Sequence, residues 1–161
     1  MRLHVDIQSA SIEPVPEEDD IRNWIAAALA DHRQQQETEI SVRLVDLAEM
    51  TTLNETYRGK TGATNVLSFP ADLPAELQLP LLGDIVICAP VVRCEALQQN
   101  KNLSAHWAHM AIHGTLHLLG YDHLEDDEAA TMEALESTVL QSLNYPCPYQ
   151  DNTLRSIQCD A

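Results

Sequence analysis

The spacing of apolar and polar residues changes several times along this chain, and each change marks an element. Residues 2–9 alternate, which is the two-residue period of a half-buried strand. Pro14 and Pro16 interrupt it. Glu17, Glu18, Asp19 and Asp20 then supply the acidic first turn that a helix dipole favours, and Ile21, Trp24, Ile25, Ala28 and Leu29 form a helical stripe running to about residue 33. Residues 38–46 alternate again, with Ile40, Val42 and Leu44 on one face. Residues 47–57 suit a short helix, 58–62 a polar loop with two glycines, and 65–69 a short strand stopped by Pro70. Residues 70–81 carry three prolines and read as a surface loop. A strand follows over 83–88. Pro90 opens a helix reaching about residue 101, Ser104 caps another to about 119, and a last helix covers 125 to about 143. Four strands and about five helices predict a single α/β (α+β) domain, 1–143, built on an approximately four-stranded mixed sheet. Residues 144–161 hold two prolines and no period, and read as a loosely ordered tail.

Composition places this pattern in one ordinary globular domain: 161 residues, 45% of them hydrophobic. No apolar run is long enough to span a membrane, and the N-terminus reads as a strand instead of a signal peptide, so a cytoplasmic protein without a membrane partner is expected. Cys88, Cys94, Cys147 and Cys159 form no C-x-x-C pair and are expected as reduced thiols, with Cys88 a small core hydrophobe. Nine basic residues against twenty-five acidic ones give a formal net charge of −16. Such a surface repels polyanions at long range. Arg43, Arg58, Lys60, Arg93 and Lys101 are nonetheless gathered between residues 43 and 101, so any polyanion site is local and small.

Candidate chemistry concentrates in His113-Gly114-Thr115-Leu116-His117-Leu118-Leu119-Gly120-Tyr121-Asp122-His123. Residues four apart share a helix face, so His113 and His117 can aim two imidazoles at one point. Gly120 can end the helix in the left-handed conformation. The turn can bring His123 back to the same point. Three histidines with an open fourth position are the ligand set of a catalytic zinc, although nickel, copper or iron also accept three imidazoles. The spacing matches the metzincin pattern at every position but one, because Gly114 stands where those proteases carry their general-base Glu. Metal-assisted hydrolysis survives that change; a peptidase reading is weakened. His106, His109, His113 and His117 all fall on one helical face. His109 reads as a surface or hydrogen-bonded histidine, with support of a ligand or proton transfer as the alternative role; His106 reads the same way.

With glycine in place of that glutamate, the run 113–123 resembles the signature of the YbeY family of bacterial endoribonucleases and rRNA maturation factors. Thr56-Tyr57-Arg58-Gly59-Lys60 with Thr64-Asn65-Val66-Leu67-Ser68-Phe69-Pro70 resembles its second signature, and Leu82-Gly83-Asp84-Ile85-Val86-Ile87 its third. The resemblance implies an α/β domain with one zinc ion on His113, His117 and His123, and a functional arginine at Arg58. It also implies single-strand-specific RNA cleavage in 16S rRNA 3′-end maturation and ribosome quality control. The partners it implies are single-stranded rRNA, the ribosome or small subunit, and ribosomal proteins or an assembly GTPase. Arg58 offers a planar fork suited to phosphate. A base to replace the missing Glu could be a water activated by the metal, His109 or Asp122; Asp122 could equally orient a ligand imidazole. Two other readings stay open: a non-catalytic ribosome-assembly factor with a structural zinc, and a metal-dependent hydrolase of peptides or small molecules.

Overall fold

A computed structural model describes residues 2–32, 37–71, 79–122 and 125–148. The alternating segments become β1 (Arg2–Ser9), β2 (Glu37–Val45), β3 (Val66–Pro70) and β4 (Leu81–Cys88). They form one sheet in the order β1-β2-β4-β3. The first three neighbours run parallel and the edge strand β3 runs antiparallel to β4, so the sheet is mixed. Pro70 ends β3 at that edge, where its missing N–H costs no ladder bond. The helices are α1 (Glu18–Leu29), α2 (Leu47–Leu53), α3 (Ala89–Gln98), α4 (Leu103–Leu118) and α5 (Asp126–Ser142). This is the single α/β domain with a four-stranded mixed sheet and five helices that the sequence predicts.

The main core lies between one sheet face and α1, α4 and α5. Ile40, Val42, Leu44, Ile85 and Ile87 meet Ile21, Trp24, Ile25, Ile112, Leu116, Met132 and Leu140 there. Each such side chain contributes about 1.5–3 kcal/mol on leaving water. A smaller core of Met50, Leu67, Val86, Cys88 and Val91 lies on the other face, under α2. α4 is thereby buried along most of its length, which makes it a rigid carrier for the histidines.

Several expectations shift locally. α4 is capped by Asn102, whose side chain accepts from the Ala105 N–H at 3.1 Å; Ser104 sits inside the first turn. The short helix after β2 changes to a π-helical turn over Asn54–Arg58, so Arg58 closes a helix and is not part of the loop. β4 begins two residues earlier than the sequence indicates. Cys88 and Cys147 are free thiols. Most of the proline-rich loop and of the expected tail lies outside the described residues. Among those residues no helix is long and apolar enough to cross a membrane.

Candidate active site

α4 ends where the motif requires. Leu119 is its C-cap, Gly120 follows at φ 107°, and the N–H groups of Gly120 and Tyr121 return to the carbonyls of His117 and Leu116. This is the glycine-closed helix end in which both orphan carbonyls are satisfied. The Tyr121 hydroxyl then bonds the His32 ring at 2.8 Å, tying the outgoing segment to the chain just beyond α1. Asp122 follows, half-buried. His123, the third expected ligand, lies outside the described residues.

His113 and His117 face each other across one turn, with their Nε2 atoms 3.1 Å apart. At that distance one ring N–H donates to the other's lone pair, or two lone pairs share a cation. Two imidazole nitrogens at about 2.0–2.1 Å from a tetrahedral zinc stand about 3.3 Å from each other. The pair therefore fits a metal with little adjustment. Among the described residues, no group of three or more His, Cys, Asp or Glu side chains is set to hold a metal ion.

Behind the pair lies a carboxylate the sequence analysis missed. Glu136 of α5 is 1% exposed. Its Oε2 accepts from His113 Nδ1 and its Oε1 from His109 Nε2, both at 2.6 Å. Burial alone would raise this carboxyl, but the hydrogen bonds from His109 and His113 outweigh it and hold Glu136 well below the usual carboxylate range. Burial pushes the His109 imidazole below its ordinary value, against the pull of Glu136. A signal was present in the sequence: Met132, Glu136 and Leu140 stand four residues apart on the buried stripe of α5. His109 and His106, 8% and 3% exposed, are buried and hydrogen-bonded. The surface half of their expected reading fails because α3 and α5 cover that face of α4. His106 Nε2 bonds Glu95 at 2.8 Å, and Glu95 also accepts from Asn65 at the entry to β3.

The structure also explains Gly114. A Cβ there would lie 2.9 Å from Ile85 Cγ2 and 3.3 Å from both Ser68 Oγ and Val66 Cγ2. The helix rests directly on β3 and β4, and the Ser68 hydroxyl donates to the Gly114 carbonyl at 2.9 Å. A side chain at this position, glutamate included, would press on Ile85, Ser68 and Val66, and these neighbours would have to shift.

Arg58 is exposed at the end of its π-helical turn. The turn closes through Gly59 in the left-handed conformation, whose N–H returns to the Asn54 carbonyl. The buried Asn54 amide donates to the Gly62 carbonyl at 2.8 Å, fixing the loop that follows. Sequence reading passed over Asn54. Next to Arg58, Tyr57 packs edge-on against Phe69 with ring centroids 5.5 Å apart. Both line a cavity of about 500 Å³ on the sheet face away from α4, together with Asp6, Ser41, Arg43 and Asp84.

Fold and site together define a class: small α/β domains whose central helix carries a His-x-x-x-His pair backed by a buried carboxylate. The chain belongs to the YbeY family, whose model, described as endoribonuclease YbeY, matches residues 4–144. An endoribonuclease YbeY of Cellvibrio japonicus is 56% identical over 150 residues, covering 93% of this chain and 84% of that protein. One of Pseudomonas fluorescens is 55% identical over 151 residues, covering 93% and 98%. A solution structure from Thermotoga maritima superposes with a TM-score of 0.57 over 92% of this chain and 97% of that one. Its identity is 23%, so it speaks for the fold alone.

Proposed function

We propose that the protein is a zinc-dependent, single-strand-specific endoribonuclease acting in 16S rRNA 3′-end maturation and ribosome quality control. The observation that carries the reading is the His113–His117 pair, poised at ligand–ligand separation with the far nitrogen of His113 on a buried carboxylate. The relatives' names, endoribonuclease YbeY, supply the substrate class. His113, His117 and His123 would hold the ion. When bound, zinc supplies a Lewis acid that polarises a phosphoryl oxygen and activates water near neutral pH. Arg58 binds the phosphate: its guanidinium is exposed, and its backbone is held by the Asn54-anchored turn. With Gly114 in place of a base, proton removal falls to another group, and the RNA's own 2′-OH is available as nucleophile. The catalytic domain is 1–143, with the tail outside its chemistry, and a ribosomal substrate places the protein in the cytoplasm.

The close packing at Gly114 favours one other reading, an assembly factor that binds the ribosome through a structural zinc. Elemental analysis and cleavage of single-stranded rRNA, run on wild type, His117→Ala and Arg58→Ala, separate the two. Catalysis requires one zinc per wild-type chain, loss of zinc and cleavage together in His117→Ala, and loss of cleavage with zinc retained in Arg58→Ala. Zinc-replete wild type that leaves the RNA intact selects the assembly factor.

A further inference from the structure

We propose that Glu136, on α5 and outside the histidine motif, is a positioning residue of the metal site: its carboxylate fixes His113 in the tautomer that turns the Nε2 lone pair toward His117. This rests on the metal reading of the imidazole pair given above. Each Glu136 oxygen accepts one 2.6 Å hydrogen bond, Oε2 from His113 Nδ1 and Oε1 from His109 Nε2. A neutral imidazole carries one N–H and one lone pair. With its proton on Nδ1 and held there, His113 presents its lone pair at Nε2, the atom 3.1 Å from His117 Nε2. A carboxylate on the far nitrogen also makes the ligating nitrogen more basic.

His109 has a companion task. By occupying Oε1 it keeps the carboxylate from turning away from His113. The carboxylate is held along the helix as well, because Met132 and Leu140, one turn to either side, are each 1% exposed. Three elements of the arrangement are therefore fixed by the core before any ligand arrives: the helix α4, the helix α5 and the ring plane of His113. Such preorganisation is what separates a binding site from two neighbouring histidines.

Glu136→Gln preserves shape and removes one acceptor. Its amide can accept from one ring but must donate to the other, so one imidazole is driven to the opposite tautomer. Whichever ring yields, the charge-assisted bond to His113 is gone. Losing such a partner weakens metal affinity by about 10–100-fold.

The test is zinc competition against a chromophoric chelator, using the full chain as wild type, Glu136→Gln and His117→Ala, with circular dichroism as the control for folding. The expected result is tight binding by wild type, loss in His117→Ala, and 10–100-fold weaker binding by folded Glu136→Gln. Equal affinity of wild type and Glu136→Gln, with His117→Ala silent, overturns the positioning role and leaves the metal reading intact. Equal binding by wild type and His117→Ala, or none by either, overturns the metal reading and this inference with it. A second measurement needs no variant: nitrogen-15 spectra of the wild-type histidines are expected to show His113 protonated at Nδ1. Protonation at Nε2 instead overturns the proposal.

Discussion

A methyl group at position 114 would press within 2.9 Å of Ile85 Cγ2 in a region where α4 and the sheet are already in contact. Overpacking of this kind costs about 1–3 kcal/mol. Gly114→Ala is expected to lose that much in urea unfolding, and Gly114→Glu more, with no peptidase activity gained. A Gly114→Ala protein as stable as wild type would show that the sheet yields, and would remove the steric reason for the missing base. Arg58 behaves in the opposite way, because it is exposed and its side chain supports nothing in the core. Arg58→Ala is expected to stay within about 0.5 kcal/mol of wild-type stability. Its cleavage rate should fall by about 10²–10³-fold, the loss seen when one preorganised donor is removed. Arg58→Lys should recover little, since a point charge does not reproduce the fork. Single residues also mark how far sequence reading reaches. His113, His117 and Gly120 are legible because their roles follow from spacing along one helix. Glu136 is hidden among the acidic residues of α5 and its N-cap, where five other carboxylates between 125 and 133 are exposed. Only the docking of α5 against α4 sets Glu136 apart.

Elements were legible where one face is buried and one is wet. β1, β2 and α1 follow their apolar period closely, because burial against a single core imposes that period. Boundaries were less so. Ser104 and Asn102 are both good capping residues, and sequence alone cannot say which one adopts the extended conformation that a cap needs. Asn102 does, at φ −61° and ψ 133°. Asn102→Ala is therefore expected to cost about 1 kcal/mol in thermal or chemical unfolding. Ser104→Ala, at an exposed position within the first turn, should change stability by less than about 0.5 kcal/mol. The reverse order would return the cap to Ser104. The π-helical turn at Asn54–Arg58 has no period of its own to read. It is fixed by Asn54 reaching across to Gly62, a contact made only once the loop has folded back. Such local widening of a helix is frequent at functional sites, and here it sets where Arg58 projects.

At the scale of the whole molecule, a body of net charge −16 has to hold an anionic strand. Of the four cations between residues 43 and 93, Arg43 is ion-paired to Glu49 and Arg93 to Glu13. Among the described residues Arg58 and Lys60 make no ion pair, and both are exposed. Two cations neutralise two phosphates. For single strands each phosphate contributes about −0.7 to the slope of log K against log salt, so the expected slope is near −1.4. The acidic body pulls the same way. Its repulsion of RNA is screened within about 10 Å at 0.1 M salt, so added salt relieves a penalty while it weakens the contacts, and the slope becomes shallower still. Fluorescence anisotropy with a labelled single-stranded rRNA fragment, titrated from 50 to 300 mM salt, reads the slope directly. Arg58→Ala should flatten it by about 0.7, and Arg58→Ala with Lys60→Ala should leave almost none. A wild-type slope of −4 or steeper would require an extended basic surface that this chain does not have between residues 43 and 93. It would mean that the strand is held elsewhere, on charges other than the pair beside the π-helical turn.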